Sequence, residues 1–172
     1  MRPSRPIIGL LVFLGASLSG LTQTPTATAA AGAATGASAA SVQPLYYPSM
    51  GDLMTMLVQP RHIKLGLAGK AQNWVYASYE LTELRNTFGR IAHTIPVYRT
   101  MDTSQMLMAI MERPLDALDH AIIAADPARF ATAYAALTAA CNACHAAEQH
   151  PMIVIKVPDR ALFPDQDLRA KP

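Results

Sequence analysis

The motif Cys-X-X-Cys-His at residues 141–145 constrains this chain more than any other feature of its sequence. It follows an alanine-rich run, residues 129–140, whose pattern is typical of a helix. On a helix, Cys141 and His145 are four residues apart and Cys144 lies beside them, so the three side chains leave one face. Two thiols at this spacing can each form a thioether with a vinyl group of haem, and the histidine can ligate the iron. The motif therefore predicts one covalently attached haem of the c type.

Two other kinds of site that use cysteine pairs are alternatives to haem attachment. A thiol–disulfide couple of the thioredoxin kind is expected between a strand and a helix, whereas the residues before Cys141 are helical in pattern. A structural zinc ion takes four ligands, and Cys141 and Cys144 are the only cysteines of the chain. Adding His145 and His150 gives a spacing that is typical of no common zinc site. Haem attachment is thus the preferred hypothesis.

Residues 1–29 have the composition of a cleavable export signal. Arg2 and Arg5 precede an apolar run at residues 6–21, and an Ala-X-Ala pattern follows at residues 27–29. The apolar run is shorter than the roughly 20 residues that cross a bilayer, so an uncleaved anchor is the less favoured alternative. Residues 30–48 are rich in Ala, Thr, Gly and Ser, as flexible linkers are. Since c-type haem is attached outside the bacterial cytoplasm, signal and motif together predict a periplasmic protein without a membrane span after signal removal.

The net positive charge of the chain comes from this predicted export signal. The chain has 14 Lys and Arg against 12 Asp and Glu, and removal of Arg2 and Arg5 leaves 12 of each. No basic cluster remains, so neither nucleic acid nor an anionic membrane is a predicted partner.

Residues 49–150 are predicted to be an all-α domain. Ser49 or Asp52 caps a first helix that ends near Gly69 and is kinked or split at Pro60. Asn73 caps a second helix. This helix has the clearest heptad pattern of apolar residues, formed by Trp74, Ala77, Leu81, Leu84, Phe88, Ile91 and Ile95. Its outer side is predicted to carry charged residues, namely Glu80, Glu83, Arg85 and Arg90.

Two further helices complete the domain. The third begins near Asp102 and is bent or divided at Pro114. Asp126 as N-cap and Pro127 at the first helical position begin the fourth, which runs into the cysteine motif. Short connections between these helices predict an antiparallel four-helix bundle with a C-terminal haem-attachment helix. Residues 151–172 are predicted to be an extended tail packed over the bundle or the haem edge.

An exported chain with four helices and the motif Cys141-Asn142-Ala143-Cys144-His145 at the end of the last one resembles the class II c-type cytochromes, the cytochrome c′ and cytochrome c556 type. The resemblance covers residues 49–147 in architecture, and only the motif matches residue by residue. It implies that Cys141 and Cys144 bind haem and that His145 is the proximal iron ligand. Members of this family also dimerise through their first two helices, which the heptad pattern here allows. The tail does not map onto this family.

The resemblance implies that the first helix faces the distal side of the iron, with a methionine ligand or with an apolar side chain beside five-coordinate iron. Met54 is the first candidate ligand and Met56 the second, because thioether sulfur favours reduced iron. His62 is a third candidate, since it lies eight residues after Met54 and roughly on the same helical face. Arg61 is a candidate partner for a haem propionate, with a plain surface position as the alternative.

These features together predict a periplasmic monohaem c-type cytochrome that carries single electrons between redox partner proteins and is not an enzyme. The alternative is a five-coordinate haem protein that binds NO or CO. A haem peroxidase that uses Arg61 or His62 is a less favoured hypothesis. A haem-free thiol oxidoreductase built on Cys141 and Cys144 is the last.

Overall fold

The computed structural model describes residues 45–160 and 162–170. The predicted signal at 1–29 and most of the predicted linker at 30–48 lie outside the described residues. The described part of the chain is mostly helical with little strand, so the all-α prediction is confirmed. None of its helices combines the length and the apolar character that crossing a membrane requires.

The first helical run is continuous and contains a π-helical turn. It comprises α1 (Met50–Leu53), a π-helical segment (Met54–Val58) and α2 (Gln59–Lys70). Ser49 and Asp52 cap it reciprocally, each side chain accepting the other residue's backbone N–H, at 3.2 Å and 2.9 Å. The Gln59 N–H bonds to the Met54 carbonyl five residues back, directly before Pro60, which has no N–H. The wider turn therefore carries the helix past the proline instead of splitting it.

Three longer helices follow, and all begin at predicted caps. They are α3 (Trp74–Thr94), α4 (Thr103–Ile123) and α5 (Pro127–Ala147). The side chains of Asn73, Asp102 and Asp126 each accept a backbone N–H from the first turn of their helix. Pro114 lies inside α4 without dividing it, so that part of the prediction is wrong.

A short hairpin, not expected from the sequence, joins α3 to α4. Its strands are β1 (Val97–Tyr98) and β2 (Met101–Asp102), paired antiparallel. Strands of two residues are too short to leave a periodic pattern in a sequence.

The helices share one apolar core. The helix α2 packs against α3 and α5, α3 packs against α4, and α4 packs against α5. The buried apolar residues of α3 follow the predicted heptad, namely Ala77, Leu81, Leu84, Phe88 and Ile91. This packing is compatible with an all-α bundle.

Glu80 departs from the predicted charged surface of α3, because its side chain is fully buried. The hydroxyl of Tyr76 donates to its carboxylate at 2.5 Å, and the Arg61 guanidinium lies 3.1 Å from it. A buried carboxylate is tolerated when hydrogen bonds and an opposite charge replace its water. The pattern of α3 alone could not predict the burial of Glu80, because its partner Arg61 belongs to another helix.

The described residues after α5 form neither helix nor strand, and they pack against the helices. Asn73 Nδ2 donates to the carbonyls of Leu168 and Arg169, at 3.3 Å and 3.1 Å. Gln166 donates to the Tyr76 hydroxyl at 2.6 Å, and the Leu168 side chain is buried. The tail is thus attached at the first turn of α3.

Candidate functional site

A largely apolar cavity lies between the start of the first helical run and the end of α5. Its empty volume is about 1040 Å³, including a mouth open to solvent. Pockets that bury small molecules are mainly apolar. Core side chains from the π-helical segment, α3 and α4 form much of its wall, namely Val58, Phe88, Met106, Leu107 and Met111. The lining of the cavity is therefore suited to a mostly apolar ligand.

The two cysteines and the histidine of the motif all line this cavity. Cys141, Cys144 and His145 lie in the last turns of α5, and neither cysteine forms a disulfide. Burial raises the pKa of Cys141 to about 11 and also raises the pKa of Cys144. The C-terminal end of a helix also disfavours an anionic group. Both thiols are thus protonated at neutral pH, whereas reactive redox cysteines have lowered pKa values.

His145 has one ring nitrogen held by the backbone. Its Nδ1 lies 2.9 Å from the carbonyl oxygen of Ile153. Because a carbonyl only accepts hydrogen bonds, Nδ1 carries the proton. The neutral ring then has its lone pair on Nε2, which is the form that binds a metal ion.

The first helical run brings Met54 to the cavity wall. Four described methionines line the cavity, namely Met50, Met54, Met106 and Met111. Met56 does not line it and is 54% exposed. Met50 was not considered from the sequence, although it lies four residues before Met54 and so on the same helical face. Of the methionines on the first helical run, Met54 and Met50 thus line the cavity and Met56 does not.

His62 also lines the cavity, and a side-chain hydroxyl lies within hydrogen-bond distance of each of its ring nitrogens. Its Nε2 lies 3.1 Å from the Thr138 hydroxyl and its Nδ1 lies 3.0 Å from the Tyr134 hydroxyl. Since the Thr138 hydroxyl donates to the Tyr134 carbonyl, it can only accept from His62, which places the proton on Nε2. Nδ1 then carries the lone pair, and the Tyr134 hydroxyl can donate its one proton either to Nδ1 or to the His62 carbonyl 2.6 Å away. His62 is only 3% exposed, and these two side chains lie against its ring nitrogens, so it is poorly placed to bind a metal ion.

We expect His62 to make the stability of the protein depend on pH. Burial lowers its pKa to about 4, from an ordinary value of 6.5. Between these values the unfolded chain binds a proton and the folded chain does not, so the free energy of unfolding rises with pH. At 1.36 kcal/mol per pKa unit, about 3 kcal/mol present above pH 6.5 is lost as the pH falls toward 4.

Urea unfolding between pH 4 and pH 7 measures this effect. His62→Gln keeps a donor and an acceptor but does not titrate, so its free energy of unfolding should vary less over this window. An equal slope in the variant and the wild type would show that another group is responsible.

Arg61 points away from the cavity and is paired. Its guanidinium lies 3.1 Å from Glu80 and 3.4 Å from Glu83, and it is not part of the cavity wall. These ion pairs leave it poorly placed for a ligand in the cavity.

The sequence predicted a tail packed over the bundle or the haem edge, but it did not identify which residues after α5 line the cavity. Glu148, His150, Ile153 and Ile155 all line the cavity. His150 Nδ1 lies 2.6 Å from the Glu148 carbonyl, which orients its ring. The motif Gln-His-Pro after the helix was visible in the sequence, but only the turn of the chain places these residues at the cavity.

Within residues 45–160 and 162–170, no group of three or more His, Cys, Asp or Glu side chains could hold a metal ion. No model of a protein family, no curated protein and no solved structure matches this chain.

Proposed function

We propose that this protein is an exported monohaem c-type cytochrome that carries single electrons between redox partner proteins. One observation carries the proposal: Cys141, Cys144 and His145 line the same apolar cavity, with Met54 on the wall contributed by the first helical run. Two thiols and a histidine with a free Nε2 are the donor set that a covalently attached haem requires. The residues therefore fit this group.

The proposed architecture is an antiparallel four-helix bundle of the class II cytochrome type, with α5 as its haem-attachment helix. The order of packing, from α2 to α3, α4, α5 and back to α2, supports it. The export signal and the periplasmic location belong to the same proposal, because c-type haem is attached after export.

When bound, haem supplies one-electron chemistry between ferrous and ferric iron. The chain contributes attachment through Cys141 and Cys144, a proximal nitrogen from His145 and an apolar wall. Such a wall excludes water and disfavours the more highly charged ferric state, which raises the reduction potential. The residues named here perform no bond-making step with a substrate.

The positions of Arg61, His62 and Cys141 argue against the two enzymatic alternatives. A peroxidase needs a free acid or base beside the iron, whereas Arg61 is ion-paired outside the cavity and His62 is buried with the Thr138 and Tyr134 hydroxyls against its ring nitrogens. A thiol oxidoreductase needs a stabilised thiolate, and burial of Cys141 has the opposite effect. The apolar cavity keeps a five-coordinate binder of NO or CO as the second candidate function.

The absorption spectrum of the full chain, matured in a bacterium that makes c-type cytochromes, tests this proposal. We expect a low-spin spectrum with a weak far-red band from methionine bound to iron, unchanged by CO. Met54→Ala should remove that band completely and make the spectrum respond to CO, because it opens the sixth position. Met108→Ala is the matched control, since Met108 is 59% exposed and does not line the cavity.

Met50→Ala distinguishes the two candidate ligands on the first helical run. Loss of the far-red band in this variant alone would assign the ligand to Met50. A wild-type spectrum that is high-spin and shifts on adding CO would replace electron transfer by gas binding. Colourless protein with two free thiols would refute a haem protein altogether.

A further inference from the structure

Residues 150–155, here named the return segment, run back alongside the last turns of α5. A Schellman turn reverses the chain, with Gln149 at a φ of 63° and the His150 N–H bonded to the His145 carbonyl at 2.7 Å. The Ile153 N–H then bonds to the His150 carbonyl at 3.0 Å. Backbone hydrogen bonds therefore fix the start of the return segment against the helix.

Asn142 fixes the other end of the return segment. Its Nδ2 donates to the Ile155 carbonyl at 2.8 Å, and the Ile155 N–H donates to its Oδ1 at 2.7 Å. A side-chain amide that both donates to and accepts from one backbone residue copies the pairing of two strand residues. Asn142 lies between the two cysteines of the motif, so this clamp belongs to the same helical turns as the thiols and His145.

Between these two anchors, the return segment presents the Ile153 carbonyl to His145 Nδ1 at 2.9 Å. A hydrogen bond to one ring nitrogen orients the imidazole and makes the other nitrogen a stronger base. A more basic ligand stabilises ferric iron relative to ferrous iron and so lowers the reduction potential. The position of one backbone carbonyl thus bears on the properties of His145.

We infer that the return segment is a positioning element for His145, with Asn142 as the positioning residue that holds it in place. The inference rests on the proposed function, in which His145 is the proximal ligand. It assigns a task to the part of the chain that does not map onto the class II cytochromes. The side chains of Ile153 and Ile155 add to the same surface, since both line the cavity.

Asn142→Ala in the full, haem-loaded chain tests the inference. Without the clamp, the His145 Nδ1–H should exchange with solvent about tenfold faster, as measured by NMR of the ferrous protein. The midpoint potential should rise by roughly a tenfold change in the ferric–ferrous equilibrium, which is 59 mV for one electron. Ala143→Ser is the matched control, since Ala143 is exposed in the same motif, and both quantities should stay at their wild-type values.

Ile155→Pro removes the same hydrogen bond from the other partner, because proline has no N–H, and it should change both quantities in the same direction. Wild-type exchange and potential in both haem-loaded variants would overturn the inference and leave the proposed function intact. A wild-type chain that binds no haem covalently would overturn both.

Discussion

Replacing Cys141 and Cys144 together by alanine is expected to abolish covalent haem attachment. The two thiols lie in adjacent turns of α5 and line one cavity, so each has a place at the same edge of a bound haem. Haem that survives denaturation on a gel should fall to background in the double variant. Each single variant should retain a reduced amount through one remaining thioether.

Loss of haem in this experiment would not follow from loss of the fold. Cysteine and alanine differ by one sulfur atom, with Cys141 half-buried and Cys144 buried, so each change should cost about 1 kcal/mol. Far-UV circular dichroism of the double variant should therefore show the helical content of the wild-type apoprotein. Ala143→Ser, inside the same motif, should attach haem at the wild-type level. Equal haem retention in the double variant and the wild type would refute attachment through these cysteines.

Much of the fold could be predicted from local sequence patterns such as helix caps and apolar periodicity. Asn73 and Asp126 cap their helices as expected, because an N-cap is recognised from the side chain and the turn that follows it. The heptad of α3 predicted its buried apolar residues from Ala77 to Ile91, since a helix keeps its period, but it placed the buried Glu80 on the surface. Pro60 does not split the helix, because a π-helical turn, which departs from the 3.6-residue period, accommodates it.

The candidate site was predictable only in part for a related reason. The motif is contiguous in the sequence, so Cys141, Cys144 and His145 were found directly. The hydrogen bonds of His62 and of Asn142 join residues from separate parts of the chain, and no local sequence pattern predicts them. Tertiary contacts therefore decided which histidine stays available as a ligand, whereas the sequence had left that question open.

Gly69→Ala is expected to destabilise the protein, because α2 and α5 meet at two glycines. A Cβ at Gly69 would overlap the Phe130 ring, and one at Gly66 would overlap the Tyr134 ring and lie 2.9 Å from Pro158 Cγ. Phe130 is 4% exposed and stacks on Tyr134, with ring centroids 5.8 Å apart. Tyr134 is in turn fixed by its 2.6 Å hydrogen bond to the His62 carbonyl.

Neither ring can move aside without breaking these contacts, so overpacking should outweigh the better helix propensity of alanine. We expect Gly69→Ala to lower the free energy of unfolding by about 2–3 kcal/mol. Gly89→Ala is the matched control, because Gly89 lies in α3 with no atom within 4 Å of its added Cβ. It should raise the free energy of unfolding by about 0.5–1 kcal/mol. Urea unfolding followed by far-UV circular dichroism measures both, and equal stability of the two variants would contradict the close approach of α2 to α5.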